Sequence, residues 1–221
     1  MTESCVKENL LRVKKTIVPY TPNIIAVTKY YGLEAILEAY DAGLRDFGES
    51  RAMDAIEKIS NLPEEIRKNS RFHFIGHLQT NKAEKVVKYF DYIQSVDSLK
   101  LAKVISEAAK RLNKVQKVLL EINISEEVQK FGFSKRELYD NFEEILSLEN
   151  LAVNGFMCMA PLGASDDELD RVFNEALQIK TELNKKYNLN LQELSMGMSD
   201  DYLRAVANGA TMIRLGRILF K

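Results

Sequence analysis

Strand-like and helix-like stretches alternate along all 221 residues, with short polar connections between them. That pattern predicts an α/β fold: a TIM-type (β/α)8 barrel, one domain spanning 1–221, with parallel strands and right-handed crossovers. Three observations carry the expectation. About eight strand–helix repeats can be counted, the number of a closed barrel. Hydrophobic residues make up 46% of the chain, enough for a sizeable core. No linker or shift in composition divides the sequence. A doubly wound open sheet is the alternative, because alternation alone does not close a barrel.

The elements follow in order. Residues 2–17 place Val6, Leu10, Leu11, Val13 and Ile17 at helical spacing, an amphipathic helix that Pro19 and Pro22 end. Strand one is 24–29, IIAVTK, apolar or β-branched up to its final lysine. A helix over 32–42 has Leu33, Ile36, Leu37 and Tyr40 on one face, with Gly43 closing it. Strand two falls around 45–48 and is followed by a helix over about 50–59. The stretch NLPEEIRKNS reads as a loop before strand three, RFHFIGH. Thr80 can cap the helix NKAEKVVKYF, and strand four, DYIQSV, precedes the helix SLKLAKVISEAAKRL. KVLLEINI is the clearest strand of the chain. The next helix opens with Ser134 and Glu137, the spacing of a capping box. Strand six is LAVNGFMCMA, followed by a long helix over 166–187. Strand seven is QELSMGM, the next helix SDDYLRAVANG, and strand eight TMIRLG. Only 217–221 remain, so the usual last helix is expected to be missing and the N-terminal helix to fill its place.

Charge excludes several functions. The net charge is −1, from 31 basic and 32 acidic residues, so nothing draws the chain as a whole to nucleic acid or to an anionic membrane. Cys5 and Cys158 lack metal or redox spacing and read as reduced thiols of a cytoplasmic protein. The N-terminus is too polar for a signal peptide, and no apolar run is long enough to cross a membrane.

In such barrels the active site lies at the C-terminal ends of the strands. Lys29, Gly48-Glu49-Ser50, the stretch 77–82, the stretch 123–130, Met157 and Met159, the stretch 195–199, and Arg214, Gly216 and Arg217 all fall there. A lysine at a strand end either snorkels its charge to solvent, the ordinary case for an isolated one, or loses hydration, and its neutral amine can then condense with an aldehyde. Strands seven and eight of these barrels commonly hold phosphate on backbone amides. Gly197 admits close approach, Ser199 offers a hydroxyl or an ordinary helix cap, and Gly216 exposes another amide. Asp200 and Asp201 weigh against an anion there. Arg214 lies inside strand eight, opposite in phase to Ile213 and Leu215, and an inward cation needs a partner. Glu121, Glu49 or a ligand are the candidates. His73 is expected to pack within its strand, and His77 to line the rim. A phosphate site, an inward arginine and a strand-end lysine together describe a pyridoxal phosphate pocket.

The strings AVTK, FGES, HFIGHLQTNK, NISEEVQKFGF, GFMCMAP, LSMGMSDD and MIRLG resemble the pyridoxal phosphate homeostasis protein family, short relatives of the alanine racemase N-terminal barrel. The resemblance runs from about residue 2 to the C-terminus. It implies a Schiff base on Lys29, phosphate held by Ser199, Gly216 and Arg217, and Arg214 beside the ring nitrogen. Asn81 and Met159 complete the implied cofactor-binding set. Two positions depart from the family pattern: Ser50 stands for an asparagine, and Arg217 for a small hydroxyl residue after the glycine.

The resemblance implies a non-enzymatic role in vitamin B6 and amino-acid homeostasis, with enzymes that use the cofactor as recipients. A monomer is expected. The alternative is a pyridoxal phosphate-dependent amino-acid racemase. Racemisation needs an acid/base on each face of the cofactor, and alanine racemases take one, a tyrosine, from a second domain that is not expected here. A cofactor-free Schiff-base aldolase would leave Arg214 and the phosphate site without a joint purpose.

Overall fold

The computed structural model describes residues 5–125 and 131–221. The chain runs α1 (Cys5–Thr16), β1 (Asn23–Val27), α2 (Leu33–Asp41), β2 (Asp46–Glu49), α3 (Ala52–Asn61), α4 (Glu64–Lys68), β3 (Arg71–Phe74), α5 (Ala83–Tyr89), β4 (Tyr92–Val96), α6 (Leu99–Arg111), β5 (Gln116–Ile122), α7 (Lys135–Leu146), β6 (Leu151–Cys158), α8 (Asp166–Tyr187), β7 (Glu193–Ser195), α9 (Tyr202–Ala207), β8 (Met212–Leu215) and α10 (Arg217–Phe220). The eight strands pair in chain order, all parallel, and β8 returns to β1 through the register Ile25↔Arg214. The barrel is closed, and the open sheet is excluded.

Successive strand side chains point to opposite faces, which gives the barrel two cores. Ile25, Tyr92, Leu119, Met157 and Met212 form an apolar cluster inside. Their neighbours Ile24, Ala26, Leu120, Phe156, Ile213 and Leu215 join the larger core under the helices, with Phe47, Phe74 and Phe142. Fully burying such a side chain contributes about 1.5–3 kcal/mol. Beside the inner apolar cluster the barrel also holds polar groups: His73, Gln94, Glu121, Ser195 and Arg214 are all buried.

Several boundaries differ from the sequence reading, each for a local reason. The predicted loop at 61–70 contains α4, one turn with Glu64 and Glu65 first and Arg67 and Lys68 last. Those charges suit the helix dipole, but with no buried residue the turn has no apolar period to read. Thr80 does not cap α5: residues Thr80–Lys82 form a 3-10 turn, and α5 starts after Lys82. β7 stops at Ser195 because Gly197 adopts φ +89°, a conformation that ends the extended run. The last helix is present but short. The side-chain amide of Asn9 on α1 donates to the carbonyls of Leu219 at 3.1 Å and Lys221 at 3.2 Å. The N-terminal helix thus packs where the sequence placed it, against α10. The capping box of Ser134 and Glu137 and the bounds of α8 are as expected. Among the described residues, no helix is long and apolar enough to cross a membrane.

Candidate functional site

The C-terminal end of the barrel collects four pieces. The first is Arg214, which shares the inward phase of Met212 on β8. Its guanidinium donates from Nη1 to Ser195 Oγ at 2.8 Å and from Nη2 to the Cys158 carbonyl at 3.1 Å. Among the described residues, no carboxylate lies within ion-pair distance of it. Neither expected partner serves. Glu49 is outward in phase, on the helix side of β2, where it meets Lys58 and Thr28. Glu121 is 4% exposed and forms no ion pair with Arg214 among the described residues. Burial pushes its carboxyl up to about 7, Asp97 adds to this and Arg214 opposes it. Burial likewise lowers Arg214 from the ordinary arginine value, against Cys158, Asp201 and Glu121. It lifts the Cys158 thiol to about 12.

The second piece joins the loops after β7 and β8. Ser199 is not the cap of α9; that position belongs to Asp201, whose Oδ1 accepts from the Met198 amide at 2.5 Å. Burial raises Asp201, against that amide bond and Arg214. The Ser199 hydroxyl instead accepts from the Ile218 amide at 3.3 Å, so the loop after β7 is tied to the first turn of α10, just past β8. Gly216 lies against β1: a Cβ there would stand 3.3 Å from the Val27 carbonyl oxygen. Arg217 is exposed and paired with Asp200.

Lys29 makes the third piece. β1 ends at Val27, so Lys29 sits in the turn beyond the strand, half-buried, with Nζ 5.0 Å from the centre of the Tyr30 ring. The turn itself is held firmly. The Thr28 amide donates to the Gly48 carbonyl at 3.0 Å, and Thr28 Oγ1 donates to Glu49 Oε1 at 2.7 Å. Lys58, reaching over from α3, donates to the carbonyls of Thr28 at 2.9 Å and Tyr31 at 3.2 Å and pairs with Glu49. Lys29 and Lys58 also border an open hollow of about 490 Å³ with Arg51, Asp54 and Glu57.

The fourth piece is the opposite rim. His77 pairs with Asp97 at 3.1 Å and stacks on Phe131, ring centres 3.7 Å apart. Met159 is exposed just past β6, and Asn81 is exposed on the 3-10 turn. Among the described residues, no hydrogen bond ties Asn81 to Ser199, Gly216 or Arg214. Of the stretch 123–130, residues 126–130 lie outside the described residues.

The sequence did not single out the Lys58–Glu49–Thr28 tie or the group of Asp46, His73, Gln94 and Ser195 inside the barrel. For the interior group the available signal was a polar residue at the inward phase of β2, β3, β4 and β7; the tie, which joins the outward face of β2 to α3, carried none.

This end of the molecule defines a class: a (β/α)8 barrel with a buried arginine, a braced lysine turn and two tied amide-bearing loops at the strand C-termini, where such barrels bind small ligands. Residues 3–221 match the family model for the alanine racemase N-terminal domain. The pyridoxal phosphate homeostasis protein of Synechocystis sp. is 44% identical over 202 residues, covering 91% of this chain and 92% of that protein. The protein of the same name from Aquifex aeolicus is 35% identical over 218 residues, covering 99% and 87%. PipY of Synechococcus elongatus, solved with PLP bound, superposes with TM-score 0.89 at 37% identity, covering 98% of this chain and 100% of that one. An alanine racemase of Clostridium difficile shares the fold, with TM-score 0.81 at 17% identity over 97% of this chain and 56% of its own. The chain belongs to the alanine racemase N-terminal domain family and, within it, to the pyridoxal phosphate homeostasis proteins.

Proposed function

We propose that the protein binds pyridoxal phosphate at the C-terminal end of the barrel, as a Schiff base on Lys29. Its role is in intracellular vitamin B6 and amino-acid homeostasis, without catalytic turnover, and enzymes that use the cofactor are the recipients. The observation that carries the reading is the convergence of three chemistries at one barrel end: the Lys29 amine, the loops joined by Ser199 and Ile218, and the buried donors of Arg214. Relatives named for pyridoxal phosphate homeostasis, and a 37% identical structure with PLP bound, support it.

The donor set fits the group. A phosphate asks for amides and hydroxyls, and Gly216 leaves its amide without a side chain beside it, close against Val27. A pyridine nitrogen asks for a donor, which a guanidinium supplies without giving up its proton. When bound, the cofactor supplies an aldehyde and a ring that delocalises negative charge. The residues of the chain do the rest. Lys29 would hold the cofactor through its side-chain amine, which reaches the rim from the turn after β1. Ser199, the Gly216 amide and Arg217 hold the phosphate, with Arg217 drawn from its pair with Asp200. Arg214 would donate toward the ring nitrogen and disfavour a proton there, so the ring would be a weaker electron sink. That suits storage and transfer better than carbanion chemistry. Asn81 and Met159 border the ligand from the rim.

The absorbance spectrum of the purified protein with added cofactor tests this reading. A yellow band bleached by borohydride is expected for the unaltered protein and is absent for Lys29→Ala. No band, or the same band in both, overturns it.

A further inference from the structure

A chain of hydrogen bonds crosses the barrel interior beneath Arg214, and its directions follow from the placement of the Gln94 amide, Oε1 toward Ser195 and Nε2 toward His73. Arg214 donates to Ser195 Oγ. Ser195 has a single proton, which it gives to Gln94 Oε1 at 2.7 Å. The other end of the Gln94 amide, Nε2, then faces His73 Nδ1 at 3.0 Å and Met212 Sδ at 3.7 Å. An amide nitrogen donates and does not accept, so His73 Nδ1 carries a lone pair. The ring proton therefore sits on Nε2, 2.8 Å from Asp46 Oδ1. Asp46 ends the chain by accepting from Arg71 Nε at 2.8 Å and Nη2 at 2.6 Å. Burial alone would raise the Asp46 carboxyl, but the bonds from His73 and Arg71 hold it down at about 2. The His73 ring is fixed in plane by stacking on Tyr92, centres 4.8 Å apart and tilted by 10°.

His73, Gln94 and Ser195 are each 0% exposed and come from three different strands. The cluster of Ile25, Tyr92, Leu119, Met157 and Met212 beside them shows that the interior can be filled with apolar groups. A polar group buried without a partner keeps the full cost of its lost hydration, so a string of them persists only when every member is bonded in one arrangement. We infer that His73, Gln94 and Ser195 are positioning residues. Through this one-way chain, anchored on Asp46 and Arg71, they hold the Arg214 guanidinium in a single orientation and so fix which of its N–H groups are left for a ligand. That the ligand is the ring of pyridoxal phosphate rests on the function proposed above; the orientation of Arg214 does not.

Nitrogen NMR of the full-length protein without cofactor tests the chain directly. There are two histidines, so His77→Ala assigns the signals. His73 is expected as the Nε2–H tautomer, and the Arg214 Nη protons as separate, slowly exchanging resonances. In Gln94→Glu a carboxylate faces Nδ1, which takes a proton from solvent and gives an imidazolium signature. In Ser195→Ala the Arg214 Nη resonances average, and Ser195→Thr restores them. An Nδ1–H tautomer in the unaltered protein overturns the inference. So does a Ser195→Ala variant that melts earlier with unchanged Arg214 resonances. With cofactor added, Ser195→Ala is expected to shift the absorbance band and weaken binding about tenfold, and Met212→Leu to do neither. If the unaltered protein shows the expected NMR signals but no band, the cofactor reading fails and the positioning of Arg214 stands.

Discussion

Glu121 gives the sharpest quantitative prediction. It pairs in register with Met157, which belongs to the inner cluster, so its side chain shares that inward face. Burial, with Asp97 nearby, raises its carboxyl from an ordinary value of 4.5 to about 7 in the folded protein. Below pH 4.5 both folded and unfolded chains hold the proton, and the group is neutral to stability. As pH rises past that value the unfolded chain ionises first, binds fewer protons, and folding stability falls until the folded carboxyl ionises near 7. At about 1.36 kcal/mol per pH unit, the full gap corresponds to about 3 kcal/mol, of which about 2–3 kcal/mol falls between pH 5 and pH 8. Asp46 works in the opposite sense and in another window. Its stabilisation is complete above 3.8 and lost as pH falls through about 2, so it does not contribute here. Glu121→Gln keeps the shape and removes the titration. Urea unfolding of both proteins at pH 5 and pH 8 should show the variant gaining about 2–3 kcal/mol relative to the unaltered protein at the higher pH. A relative gain below about 0.5 kcal/mol refutes the claim that burial holds this carboxyl protonated.

Three further outcomes follow from the site. On the proposed phosphate contact, Ser199→Ala removes a hydrogen bond to a charged group, worth about 1.5–3 kcal/mol; titration calorimetry should find pyridoxal phosphate bound roughly tenfold more weakly or worse, with pyridoxal affinity nearly unchanged. Equal losses for both ligands would reduce the serine to a brace between two loops. Lys58→Met leaves the buried Glu49 carboxylate unpaired and should cost about 3–5 kcal/mol in denaturant unfolding, with part recovered in the Lys58→Met/Glu49→Gln double variant; a cost under about 1 kcal/mol would show that the pair does not brace the Lys29 turn. Deuterium exchange at the α-carbon of L-alanine, with saturating cofactor, should stay far below the enzyme range of about 1–1000 per second. Exchange within that range favours the racemase alternative.

Much of the fold could be read from the sequence because strand and helix periods differ. KVLLEINI and the stretch 166–187 each carry one period without competition, and β5 and α8 lie where those periods put them. The element ends were harder. Gly197 stops β7 through its own backbone conformation, while α4 and α10 are single turns too short to show a period. For the candidate site, reading the strand ends placed Lys29, Ser199, Gly216 and Arg214 together, and the structure brings them to the same end of the barrel; that they hold the cofactor is the proposal. The partners of Arg214 were not legible, since the sequence suggests a carboxylate for a buried cation and the barrel supplies a hydroxyl and a carbonyl instead. Ser199 was open between cap and ligand contact. Its tie to the Ile218 amide depends on two loops meeting, which no local pattern encodes.

The central claim is that Lys29 carries the cofactor. Its most direct test is borohydride reduction of the protein loaded with pyridoxal phosphate, followed by peptide mass spectrometry. The account predicts a pyridoxyl group on Lys29, absent when the protein is left unreduced. A pyridoxyl group found only on another lysine, such as Lys82 or Lys58, would contradict it.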